Sequence, residues 1–417
     1  MKKSRDYKTY RTCRFCSGKH IRLFLDLGKQ PLAGGFLKNQ DEIKREKQYH
    51  LQLYFCSDCF LVQTNLVINK QKLFEKYYYS SSSIKTLVAH FKEFAQFLKN
   101  NYSPAKKYFI VEIGANDGIF IKILKKSGYK VLGVDPAKNI VKPLIANGLP
   151  ILNDYFTEKT AAKIVKKYGQ ADIIVSSNTL AHIEDMHDVL KGIDLLLKDK
   201  GSLIFENHYL GSLIEDTQYD MVYHEHQYYY SILTLVNLLK QHGMEIYDVQ
   251  KNSMHAGTIR VFVKKNISND KKTTSRVKKI IINERAQGFD KFKTFSNFGN
   301  RVSRNKTELR RLLLSLKQKN KTVVGYGASG RGTVLSNYCI LSKQLLDYVV
   351  DDSPFKQGLY TPGMHLLIYP SDKLDQDKPD YALLFAWSFL DEIKKRNKQY
   401  LKNGGKFIVP LPKVKII

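Results

Sequence analysis

Residues 108–124 run Tyr-Phe-Ile-Val-Glu-Ile-Gly-Ala-Asn-Asp-Gly-Ile-Phe-Ile-Lys-Ile-Leu. An apolar strand leads into a turn with glycines at 114 and 118, and then into a helix with apolar periodicity. This is how a Rossmann-like unit opens, and it restricts the fold more than any other stretch. Glycine lets the backbone pass close to a ligand, and Glu112 at the strand end suits a cationic amino-acid moiety better than a pyrophosphate. The turn therefore points to S-adenosylmethionine rather than a dinucleotide, with Gly114, Asn116, Asp117 and Gly118 as cofactor-binding positions. A second strand from Lys130 ends at Asp135, where a carboxylate can accept hydrogen bonds from ribose hydroxyls. Further strands are expected at Ala171–Ser177 and Gly201–Glu206. Alternating strands and helices imply an α/β fold with a largely parallel, doubly wound sheet, which binds ligands beyond its carboxyl ends. Gly114, Asp135 and Asn178 then surround one crevice.

Four of the five cysteines form two tight pairs, Cys13-x-x-Cys16 and Cys56-x-x-Cys59, with 39 residues between them. With no signal peptide in view, paired knuckles read as a four-thiolate zinc site, which is closed and structural. A CxxC redox couple would leave the second pair unexplained. A DNA-binding finger would need histidines and a basic recognition helix, and neither follows Cys59. The net charge of +29 comes from lysines spread along the chain. It fits a solvated basic surface, or a basic face for an anionic partner. No apolar run approaches the roughly 20 residues of a membrane helix, and the charged start leads into no h-region. A cytoplasmic protein of two or three domains is expected.

Two segments bring histidine towards the crevice. His182 follows the strand ending at Ser177, and Tyr223-His224-Glu225-His226 forms a dense titratable cluster without helical periodicity. Such density favours an active site. His226 can act as general base, with Glu225 or a tyrosine orienting it or stabilising an oxyanion. A catalytic metal on the His-Glu-His string is disfavoured, since no other carboxylate-rich spacing supports it. The strip Tyr77-Tyr78-Tyr79 reads equally as a pocket wall or as interdomain packing. Further on, Gly325-Tyr-Gly327-Ala-Ser-Gly330-Arg331 matches G-x-G-x-x-G, and a second strand ends at Asp351. Alone this suggests nicotinamide, but a glycine turn at a helix N-terminus can cradle any phosphate. Residues 264–320 are polar and lysine-rich, as a connecting arm would be.

Together, Cys13-x-x-Cys16, Cys56-x-x-Cys59-x-x-Val62-Gln63, the Glu112–Gly118 turn, Tyr223–His226 and Gly325-Tyr-Gly-Ala resemble the sugar C-methyltransferase family, in the same order over nearly the whole chain. The resemblance implies a zinc-binding module at 1–75, a methyltransferase domain at 76–265, a helical arm at 266–310 and a Rossmann-like nucleotide-sugar-binding domain at 311–417. It implies a nucleoside-diphosphate 4-keto-6-deoxysugar substrate and methylation at C3. His226 would be the base, Tyr223, Glu225 and His182 orienting or oxyanion-stabilising groups, and Tyr77 or Tyr79 would close the pocket. His224, Gly325, Gly327, Gly330 and Arg331 would hold the substrate. No nucleic-acid or membrane partner and a monomeric state are expected. Transfer to oxygen or nitrogen of a related sugar is the enzymatic rival, and a zinc-bearing nucleic-acid-binding protein is the rival from another class.

Overall fold

A seven-stranded sheet occupies the middle of the chain. In chain order its strands are β1 (Phe109–Ile113), β2 (Lys130–Val134), β3 (Ile151–Leu152), β4 (Ala171–Ser177), β5 (Leu197–His208), β6 (Met244–Asn252) and β7 (Thr258–Lys265). They lie side by side as β6-β7-β5-β4-β1-β2-β3. β7 runs antiparallel to the other six. β1 is buried along its whole length, as the nearly continuous apolar run of a parallel strand covered on both faces requires. The strand order reverses between β1 and β4, so the ligand crevice lies at their carboxyl ends. This computed structural model describes residues 6–74, 81–268 and 270–417. Tyr77 and Tyr79 fall outside the described residues.

The N-terminal strands Ile21–Pro31, Gln48–Cys56 and Val62–Thr64 form an antiparallel sheet whose fourth member, Tyr228–Tyr229, comes from the central part of the chain. The loop carrying His226 is thus tied at one end into the zinc module. At the other end of the chain, a six-stranded sheet is built around Val323–Tyr326 and Tyr381–Leu384. The segment expected to be a connecting arm contains the helices Ser275–Ala286 and Phe292–Gln318. The second runs unbroken through the boundary expected after 310. Its Phe295, Phe298, Val302, Leu309, Leu313 and Leu316 are all buried on one face. The Phe295 ring lies 4.5 Å from Phe55 and 5.3 Å from Phe24. The stripe joins the N-terminal and C-terminal sheets, while the lysines and arginines that made the segment look solvated occupy the opposite face. Among the described residues, no helix is long and apolar enough to cross a membrane.

Candidate active site

The cysteine knuckles fold as two matching turns. Ser17 N–H donates to Cys13 O and Phe60 N–H to Cys56 O, both at 2.9 Å, with Ser17 and Phe60 in the left-handed region. The four Sγ atoms all lie within 4.8 Å of one another, with Cys13 to Cys59 at 3.5 Å and Cys16 to Cys56 at 3.6 Å. Thiolates held about 2.3 Å from one tetrahedral ion stand roughly 3.8 Å apart. No cysteine is spent in a disulfide, so the donor set and spacing fit zinc.

At the end of β1 the turn is specified by its glycines. A Cβ on Gly114, at φ +82°, would sit 2.0 Å from Thr179 Oγ1. Gly118, at φ +69°, would meet Leu149 at 2.4 Å. Glu112 is 3% exposed, and its Oε2 is enclosed without a hydrogen-bond partner. Burial, then the charges of Asp135 and Asp117, push its carboxyl well above the usual carboxylate range. A buried carboxylate in that state fits a cationic ligand. Asp135 accepts the N–H groups of Asn116 and Ala137, each at 2.8 Å, one on each carboxylate oxygen, which fixes the carboxylate at the end of β2. Asn116 and Asp117 also do something the sequence did not suggest. Their side chains accept the N–H groups of Ser81 and Ser82 at 3.1 and 2.7 Å, fastening the segment before helix Lys85–Asn101 over the turn. Asn178, at φ 54°, donates its N–H to Glu206 O at 2.7 Å.

The two histidine segments converge. His182 and His226 have ring centroids 5.0 Å apart, and the Tyr223 ring lies 4.0 Å from that of His226. His226 Nδ1 lies 3.0 Å from the Met221 carbonyl, an acceptor only, so Nδ1 carries the proton and Nε2 the lone pair. Burial, then His182 and His208, hold this ring well below the ordinary histidine range. Burial brings His182 down to about 4. Glu225 is pushed up to about 7 by burial, and its Oε2 is enclosed without a partner. His224 packs edge-on against Tyr49 of the N-terminal sheet, with centroids 6.0 Å apart.

Several polar residues around the crevice escaped the sequence reading. Glu206 on β5 accepts from His90 at 2.7 Å and from Arg260 at 2.8 Å. Against the upward push of burial, these two partners hold it below its ordinary value. His208 is brought down to about 3 and His255 to about 4, chiefly by burial and also by the nearby Arg331. These residues are scattered over strand ends and a helix, and only the chain path unites them. Gln227, one position past the titratable cluster, was equally unmarked.

The second glycine turn also packs closely against protein. A Cβ on Gly325 would sit 2.7 Å from Phe385, one on Gly327 2.9 Å from Ala386, and one on Gly330 3.3 Å from Ala33. Phe36, Ser329, Gly332 and Phe385 line a residual cavity of about 10 Å³, room for about one water. Asp351 is met by Lys356 at 3.4 Å, whose Nζ also donates to Ala328 O at 2.6 Å. These contacts leave the fingerprint's acid matched by a lysine. From this motif, Arg331 reaches the central part of the chain. Its Nε donates to Asp220 at 2.8 Å, and Trp387 Nε1 donates to the same oxygen at 2.9 Å.

With this geometry in place, comparison with known proteins decides the family. The chain is 31% identical to the C-methyltransferase NovU of Streptomyces niveus over 405 residues, covering 97% of this chain and 96% of that one. The chain belongs to the C-methyltransferase family. Family models match residues 13–74 as a zinc binding domain, 85–249 as a methyltransferase domain and 253–412 as a C-methyltransferase C-terminal domain. An O-methyltransferase family protein from Burkholderia thailandensis is similar at 12% identity and a TM-score of 0.32, over 43% of this chain and 57% of its own. A SAM dependent methyltransferase from Archaeoglobus fulgidus is similar at 16% and 0.33, over 42% and 94%. This family member is an S-adenosylmethionine-dependent C-methyltransferase with structural zinc. Glu112, Asp135 and the Gly114–Gly118 backbone are the candidate groups to hold the donor, on their burial and hydrogen bonding.

Proposed function

We propose that the protein methylates C3 of a nucleoside-diphosphate 4-keto-6-deoxysugar, with His226 as the base. Bound S-adenosylmethionine supplies an electrophilic methyl group. Carbon is a poor nucleophile until it loses a proton, and a ketone acidifies the hydrogen on its neighbour, so a carbon acceptor calls for a base and an oxyanion donor. The observation that carries this reading is the His226 tautomer: Nδ1–H is committed to the Met221 carbonyl at 3.0 Å, and Nε2 keeps its lone pair. The depressed basicity of this ring keeps it unprotonated at neutral pH. Glu225, titrating near 7, holds a proton on part of the population and can donate it in a hydrogen bond to the oxygen where negative charge develops. Tyr223 packs on His226 with the two rings tilted by 33°. The extent of likeness to a named C-methyltransferase supports carbon, rather than oxygen or nitrogen, as acceptor.

The test is incubation with labelled methyl donor and a panel of thymidine, guanosine and cytidine diphosphate keto-deoxysugars, in water and in deuterium oxide. C-methylated product, with exchange of the C3 hydrogen in the absence of donor, is expected. His226→Asn should abolish both turnover and exchange while leaving donor affinity intact. Methylation without any exchange-competent hydrogen at C3 would sink the reading.

A further inference from the structure

The zinc module reaches the histidine pair through one side chain. Arg14 sits inside the first knuckle, between Cys13 and Cys16, and its guanidinium stacks over the Tyr228 ring at 4.2 Å. Nη1 donates to Gln227 Oε1 at 2.7 Å, and Nη2 to Gln227 O at 2.8 Å and Thr64 O at 3.1 Å. Gln227 is the residue after His226. Its own amide donates to His182 O at 3.0 Å, and its backbone N–H to Ala181 O at 2.8 Å. A single buried glutamine therefore joins both histidine segments, and a single arginine fixes that glutamine to the metal knuckle.

We propose that Arg14 is a positioning residue: through Gln227 it sets the spacing and orientation of His182 and His226. Thr64 N–H also donates to Gln227 O at 3.1 Å, so the carbonyl is held from two sides and the backbone next to His226 cannot rotate freely. The Arg14 backbone N–H is satisfied by Gln63 Oε1 at 3.0 Å, which locks the knuckle against the strand that pairs with Tyr228. A planar guanidinium making three hydrogen bonds transmits geometry that a flexible ammonium does not. In this arrangement a residue of the cysteine knuckle reaches the histidine pair from outside the crevice. The inference rests on the proposed base for its effect on rate, but its geometric content does not.

The test uses zinc-loaded full-length protein with ¹⁵N-labelled histidine rings. Wild type should show His226 as a neutral Nδ1–H tautomer. Arg14→Ala should mix its tautomers and shift His182, with zinc content, donor affinity and the remote His365 unchanged. Arg14→Lys should restore part of the wild-type spectrum. Gln227→Glu keeps the acceptors for Arg14 and loses the donor to His182 O, so it should move His182 more than His226. It reads out the link even if Arg14→Ala fails to fold. A misplaced base costs on the order of 10²-fold in kcat, with KM little changed. Unaltered His182 and His226 resonances in Arg14→Ala and in Gln227→Glu would overturn the proposal. Shifted rings with wild-type turnover would uphold the positioning and remove His226 from its role as base.

Discussion

Glu112→Gln separates two effects that usually move together, stability and ligand affinity. Glu112 is almost wholly enclosed, one of its oxygens has no partner, and Asp135 and Asp117 add like charge. Its folded-state carboxyl therefore keeps a proton over a pH range in which the unfolded chain has lost one. The folded state then binds more protons, so stability falls as pH rises above the unfolded value. Glutamine cannot ionise and removes that dependence. A buried amide lacking one partner costs about 1–3 kcal/mol, whereas a buried ionised carboxylate costs several kcal/mol. Ligand-free Glu112→Gln should thus melt higher than wild type at pH 8, and the advantage should vanish near pH 4. Binding moves the other way. A hydrogen bond to a charged group contributes about 1.5–3 kcal/mol, so the Kd for S-adenosylmethionine should rise roughly 10- to 150-fold at a tenfold per 1.4 kcal/mol. Thermal melts across pH, with and without donor, and calorimetric titration supply both readings. A variant less stable at pH 8 with unchanged donor affinity would refute the assignment of Glu112 as the counter-charge.

Three further outcomes follow from the same geometry. Cys59→Ser should lower zinc content from about one ion per chain and melt at a lower temperature, because metal binding is linked to folding of the site; full zinc retention would count against the four-thiolate set. The pH–rate profile should lose activity on the alkaline side with a midpoint near 7, because Glu225 must hold its proton to donate and titrates at about 7. The acid limb should fall below 6.5, since His226 is depressed, and Glu225→Gln should flatten the alkaline limb. Arg331→Ala leaves Asp220, 1% exposed, without its counter-charge, at a cost of about 3–5 kcal/mol in urea unfolding; Arg331→Ala combined with Asp220→Asn should recover much of the loss.

What the sequence made legible was local. The Glu112–Gly118 turn could be read because glycine at positive φ and an acid at a strand end have few other uses. Asp135 and β4 followed from the same alternation of strand and helix. The cysteine pairs were legible because their spacing has one economical explanation. The nearness of His182 to His226 was inferred only from two separate clusters, and the link that holds them was invisible. Gln227 and Arg14 are 213 residues apart, and nothing in either residue's neighbourhood in the chain announces a partner. The same limit explains the second glycine motif. Its pattern predicts a phosphate cradle, and Ala33 and Phe36, from the turn that follows a distant strand, pack beside it, while Lys356 matches Asp351. It explains the long helix as well, whose charged face dominated the composition of 264–320 while its apolar stripe was already spoken for by Phe24 and Phe55. In each case a local motif reports which backbone shape forms, and the other end of the chain decides what that shape is used for. The N-terminal sheet takes its fourth strand, Tyr228–Tyr229, from the central part of the chain, two residues past the proposed base, so substitutions in the zinc knuckle belong to the same energetic unit as substitutions in the crevice.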